Sequence, residues 1–133
     1  MFNLDTLATK DTFELQLKHP VTEELLYADA AQKEPVSIII HGPSSPQYQN
    51  AVTAMQNRAL KRQREKKIMS AEQVKSEGID LLVACSESST NLMYKQAPLD
   101  NADAFRALYS DPQFAWIKDA VDGAVGEIAN FLA

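Results

Sequence analysis

The sequence predicts a single α+β domain, mostly helical, in which a small N-terminal β-sheet or hairpin packs against three or four helices and a long amphipathic helix closes the chain. Three observations carry this. Residues 12–18, TFELQLK, alternate apolar Phe13, Leu15 and Leu17 with polar Glu14, Gln16 and Lys18, the period of a strand with one wet face. Val36 leads into Ile38, Ile39 and Ile40, a short β-branched run suited to an interior strand. Phe114, Ile117, Val121, Val125, Ile128 and Leu132 recur at steps of three and four, one apolar helical stripe running to the last residues. A length of 133 residues suits one core. The expected unit is 1–133, β-rich over 1–43 and helical over 44–133.

The first strand ends at His19-Pro20, because proline cannot donate to a ladder and restricts the residue before it. Leu25, Leu26 and Tyr27 fit the start of another strand, yet the ADAA that follows has weak strand propensity, and the residues do not decide. After the isoleucines comes His41-Gly42-Pro43-Ser44-Ser45-Pro46. Ser45 suits a helix N-cap and Pro46 the first helical position, where a missing N–H costs nothing. Tyr48, Ala51, Val52, Met55 and Ala59 then share a helical face, and the helix is expected to reach about residue 67. Ser70 with Gln73 forms a capping box, opening a helix with Val74, Gly78, Leu81, Leu82 and Cys85 on one face.

Residues 86–91, SESSTN, read as a loop by composition, and 92–99 as a short extended piece before Pro98. Asn101 or Asp100 caps a short helix carrying Phe105 and Leu108, and Asp111-Pro112 repeats the start signal for the last helix. Gly123 and Gly126 weaken that helix, so packing must supply the difference.

Function classes narrow next. With 45% hydrophobic and 23% charged residues the composition is that of an ordinary globular protein. No apolar run approaches the 18 or so residues of a membrane span, so no membrane association is expected. Residues 1–11 lack a basic segment followed by an apolar one, so a secretory signal is not expected and a cytoplasmic location is. Cys85 stands alone and has no internal disulfide partner.

Gly42 raises the question of a phosphate cradle. Such a loop needs free backbone N–H groups and a Lys-Ser or Lys-Thr end; here Pro43 and Pro46 remove donors and no lysine is near. His19 and His41 are the only histidines, and neither they nor Cys85 sit in a recognisable catalytic or metal spacing. Ser44 and Ser45 lack the context of a nucleophile elbow. A small enzyme would require His41, Ser44 and Cys85 to converge in one cleft. The expectation is a protein that is not an enzyme and holds no cofactor or metal.

Charge is unevenly spread. Residues 1–57 carry −4, residues 58–69 carry +5 and residues 70–133 carry −6, for a net charge of −5. On a helix Arg58, Lys61, Arg62, Arg64, Lys66 and Lys67 make a positive strip. Nucleic-acid binding is one reading, but no aromatic residue is interleaved for base stacking and the acidic remainder repels a phosphate backbone. A solvated helix end is another. A third is self-association, in which the strip meets the acidic surface of a neighbouring copy. Trp116, near Phe114, Phe131 and Tyr109, is either core or part of a partner surface.

The order of elements resembles the tail assembly chaperones of long-tailed bacteriophages. The resemblance lies in Phe13 to Lys18 with Pro20, in the isoleucine strand leading through Gly42-Pro43-Ser44-Ser45-Pro46 to Tyr48, in the basic helix, and in the Asn-Ala-x-Ala-Phe-x-x-Leu-Tyr-x-Asp-Pro stretch from Asn101 to Pro112 with the helix after it. It implies a protein that binds the tape measure protein in the host cytoplasm, keeps it soluble, promotes polymerisation of the tail tube protein around it, and is absent from the mature virion. It further implies self-association into oligomers or spirals and, often, a longer form made by ribosomal frameshift. No family motif supplies a catalytic residue. The alternative is a nucleic-acid-binding regulator using the basic helix.

Overall fold

The computed structural model describes residues 1–132 and has the expected α+β architecture: four helices and a small antiparallel sheet. Strands β1 (Thr12–Gln16), β2 (Ser37–His41) and β3 (Ser86–Thr90) lie in the order β1-β2-β3. In β1 the predicted alternation is realised, with Phe13 and Leu15 half-buried between exposed neighbours and Leu17 buried just beyond. β2 is central, and Ile38 and Ile40 are fully buried.

Where β1 and β2 diverge, three backbone hydrogen bonds close a triangle. Leu17 N–H donates to Val36 O at 3.0 Å, Leu26 N–H to Leu17 O at 2.9 Å, and Val36 N–H to Leu26 O at 3.0 Å. The segment around Leu26 is therefore a wedge held by the single bridges Lys18–Leu25 and Tyr27–Pro35, which resolves what its composition left undecided.

Of the stretch 86–91 expected as a loop, Ser86–Thr90 form a strand. α2 (Ala71–Cys85) runs directly into β3, with Ser86 serving both as helix cap and first strand residue. Pairing with β2 overrides the poor strand propensity of serine. The hydroxyls find local acceptors, Ser86 Oγ donating to Leu82 O and Ser89 Oγ to Leu99 O, each at 2.7 Å. The register slips between Ile39 and Ile40, which face Ser88 and Ser86, so Glu87 bulges outward. β4 (Met93–Tyr94) and β5 (Ala97–Pro98) form a minimal hairpin. Its turn residues Lys95 and Gln96 have φ of 51° and 66°, the two positive values of a type I′ turn. The helical part expected over 44–133 is thus interrupted by three strands.

α1 (Pro46–Arg64) begins as expected, Tyr48 N–H donating to Ser45 Oγ at 3.1 Å. It stops at Arg64, short of residue 67. Lys66 takes a φ of 54°, Lys66 N–H donates to Gln63 O and Lys67 N–H to Arg62 O, the paired bonds of a Schellman cap. The capping box of α2 is complete. Its buried face, however, is Ile79, Leu82, Val83 and Cys85, while Val74 is 57% exposed: the first half of α2 projects past the core.

α3 (Ala102–Tyr109) is capped by Asn101. After a 3-10 turn at Pro112–Phe114, α4 (Ala115–Val125) carries Ile117, Val121, Ala124 and Val125 inward. The predicted stripe breaks there. The chain turns at Gly126 into a further 3-10 turn, Ile128–Phe131; Ile128 is exposed, and Phe131 is buried in its place. Fully burying a phenylalanine is worth about 1.5–3 kcal/mol, more than the helical turns forgone after two glycines. α2 and α4 cover β2, α3 packs on both, and α1 packs on α2.

Candidate interaction surfaces

The corner after β2 spends its backbone donors within the fold. Gly42 N–H donates to Asp11 O at 2.7 Å and Ser45 N–H to Gly42 O at 3.0 Å, so two of the donors left by the prolines are already engaged. Ser45 is fully buried, its hydroxyl donating to Gly42 O at 2.7 Å while accepting from Tyr48. Gly42 is required for a different reason: a Cβ there would stand 2.5 Å from the ring of Phe131.

The other candidate catalytic groups sit in separate settings. Ser44 is exposed and hydrogen-bonds Asp11 Oδ1 at 3.1 Å. Burial pushes the Cys85 thiol up to about 11, keeping it neutral. His19 Nδ1 accepts from Val21 and Thr22 N–H at 3.1 and 3.2 Å, closing a turn. His41 Nδ1 is buried without a partner, a destabilising feature of about 1–3 kcal/mol. Among the described residues no three His, Cys, Asp or Glu side chains gather as metal ligands, and no helix is long and apolar enough to cross a membrane.

The basic residues lie on an antiparallel hairpin of α1 and α2, and the structure divides them. Arg58 Nε and Arg62 Nη1 both donate to Glu77 Oε1, at 3.1 and 3.0 Å. Glu77 is held below the usual carboxylate range, chiefly by the Arg58 hydrogen bond, with Arg62 adding to it against some desolvation. Lys67 Nζ lies 3.2 Å from Glu65 at the helix end. Among the described residues Lys61, Arg64 and Lys66 have no carboxylate partner. Three of the six cations are thus paired from within, by two carboxylates, which weakens both the nucleic-acid and the charge-driven association readings. Glu77 carried no local signal of this role, because it lies 15 to 19 residues from its partners.

Sequence reasoning also missed the exposure of the apolar side chains that share this hairpin. Leu60 is 56%, Ile68 92% and Val74 57% exposed. Leu60 and Ile68 interrupt charged segments where the helical period led to no expectation, whereas the helical spacing predicts Val74 on the apolar face of α2.

Trp116, near the start of α4, is half-buried and stands between two cavities. One, ≈ 230 Å³, is lined almost wholly by apolar groups, among them Leu26, Met93, Tyr94, Phe114 and Trp116, with Lys95 its one charged neighbour. Tyr94 seats this wall, its hydroxyl donating to Asp111 Oδ2 at 2.7 Å and its ring meeting Phe114 edge-on at 5.6 Å. Compared with family models, curated proteins and solved structures, the chain matches none.

Proposed function

We propose that this protein is a tail assembly chaperone of a long-tailed bacteriophage. It binds the tape measure protein in the host cytoplasm, keeps it soluble and promotes polymerisation of the tail tube protein around it, and leaves before the virion is complete. It self-associates on its client, and a longer frameshifted form recruits the tube protein.

One observation carries the reading: α1 is 19 residues long yet buries none of them. At 1.5 Å per residue it is about 28 Å of ordered ridge, which packs on α2 with side chains that are at most half-buried. With α2 it presents Leu60, Ile68 and Val74 beside Lys61, Arg64 and Lys66, the three cations without internal carboxylates. Apolar contacts flanked by free cations suit an extended amphipathic helix with acidic margins. The segments that carry the family resemblance support the same reading: the β1 and β2 segments lead through the Gly42 corner into this ridge.

Co-expression tests the proposal. The tape measure protein encoded beside this chain is expected to move from the pellet to a soluble complex when the chain is present. Its remaining insoluble at equal expression overturns the reading.

A further inference from the structure

The small sheet has two edges, and they differ. At β3 the outer edge is occupied: Ser89 N–H and Ser89 Oγ both donate to Leu99 O, at 3.0 and 2.7 Å. β1 lies at the other edge, with β2 as its one strand partner among the described residues. Its register runs unbroken from Thr12 opposite His41 to Gln16 opposite Ser37. Gly42 N–H donates to Asp11 O just before it, and Leu17 N–H to Val36 O just after. Backbone groups alternate in direction along an antiparallel pair, so the odd-numbered residues bond β2, while Thr12, Glu14 and Gln16 direct N–H and C=O outward. Lys10 N–H also points outward and is taken by Phe131 O at 2.7 Å. From Thr12 onward, among the described residues, no hydrogen bond reaches the outward groups of β1.

Free edges are ordinarily guarded by proline, lysine, an inward-pointing charge or a bulge. Thr12–Gln16 has none of these. Its one charge, Glu14, is turned back over β2, accepting from Ser37 Oγ at 2.8 Å. A groove of ≈ 550 Å³ continues the edge between β1 and α4. The inward Leu15 and Leu17 and the outward Gln16 and Lys18 all line it, so it opens along the strand's edge and not beneath one face. Trp116 forms the far wall, and Glu23 and Asp119 stand beside it with no cation partner among the described residues. Against these two carboxylates and Glu14 the site sets one cation, Lys18.

Unpaired groups at every second residue are satisfied by an extended backbone laid alongside. Charge decides whose backbone it is. A second copy offering its own β1, in the register that engages Thr12, Glu14 and Gln16, sets Glu14 directly opposite Glu14, which is destabilising. A strand with a cation at that position pairs with Glu14 instead. The apolar residues on either side of the cation then fall on the inner face, beside Leu15, Leu17 and Trp116.

We infer that the outer edge of β1 receives an extended basic segment of another protein as a fourth strand, its apolar residues alternating with arginine or lysine and seated in the Trp116 groove. None of the groove's residues belongs to α1 or α2, and the inference does not rest on the chaperone reading.

The test titrates the full chain with a synthetic peptide of about seven residues, an ordinary strand length, in which valine alternates with arginine. Trp116 is the only tryptophan, and its emission is expected to shift to the blue and saturate below about 1 mM peptide. A peptide with glutamate in place of arginine is expected to bind at least about tenfold more weakly. Backbone methylation separates strand addition from charge attraction alone. N-methylation of the arginines removes the N–H groups that face β1 and is expected to abolish binding. N-methylation of the valines, whose N–H groups face away, is expected to leave binding within about threefold. Gln16→Pro, a change that an edge strand tolerates, is expected to weaken the arginine peptide at least about tenfold at unchanged circular dichroism. The methylated peptides leave the chain untouched and decide the matter even where Gln16→Pro unfolds. Ile68→Ser, at the tip of the α1–α2 hairpin, is expected to bind as the wild type.

No change in emission up to about 1 mM, equal binding of the glutamate peptide, equal loss with the two methylated peptides, or loss in Ile68→Ser overturns the inference. Assembly of the chain alone that Gln16→Pro abolishes assigns the edge to a second copy and overturns it as well. Failure of the client assay overturns the chaperone reading and leaves this inference standing.

Discussion

The ring of Phe131 lies against Gly42 so closely that a Cβ on the glycine would stand 2.5 Å from two of its carbons. Phe131 also meets Phe13 edge-on, with centroids 6.0 Å apart. The close of the chain is thus seated on the corner between β2 and α1, and the size of one residue sets the fit of the other. Gly42→Ala is expected to lower stability by about 1–3 kcal/mol, the usual effect of overpacking, with the direction of α1 disturbed. Adding Phe131→Leu to Gly42→Ala is expected to cost less than the sum of the two single changes in urea denaturation.

Ser45 is the second fixed point of this corner. Its hydroxyl both caps α1 and bonds Gly42 O, and the residue is fully buried. Ser45→Ala is expected to lower the unfolding free energy by about 1–2 kcal/mol, the upper part of the range for a lost cap, measured by the urea midpoint at unchanged slope.

Lys66 holds φ at 54° in the turn that ends α1, where a side chain is disfavoured and glycine is not. Lys66→Gly is expected to raise stability by about 0.5–1 kcal/mol, seen as a higher thermal midpoint. A fall would contradict the assigned cap.

Glu77 links the two helices of the hairpin through Arg58 and Arg62. Its carboxyl is lowered in the folded chain, so its contribution is present above the unfolded carboxylate value and disappears as pH falls through the folded one. The stability difference between wild type and Glu77→Gln is expected to be about 1 kcal/mol or less near neutrality and to shrink as pH falls below the ordinary carboxylate range. Urea titrations at several pH values give the comparison.

Much of the fold was legible because its signals are local. Alternation marked β1, the isoleucines marked β2, and Ser45-Pro46, Ser70 with Gln73, and Asn101 marked three helix starts, since a cap acts within three residues. The ends were less legible: α1 closes on a lysine at a position that glycine usually announces, and α4 yields to Phe131, whose site on Gly42 lies far away in sequence. β3 was invisible for the same reason, as serines become a strand only when an isoleucine strand pairs with them. Of the surface, the basic residues were plain to read, but the neutralising Glu77 and the exposure of Ile68 are tertiary facts. Trp116 was singled out as core or partner surface, and only the fold places a recess beside it.

The central claim is that the α1–α2 ridge holds a long helical client in solution. The most direct measurement is size-exclusion chromatography of a tape measure protein, the client that the proposed function assigns, co-expressed with wild-type chain or with Ile68→Glu, which changes a side chain 92% exposed. The account predicts a soluble co-eluting complex for the wild type and at least about a tenfold loss of complex for Ile68→Glu at unchanged fold. A tape measure protein that stays insoluble beside abundant wild-type chain, or a complex indifferent to Ile68→Glu, would contradict it.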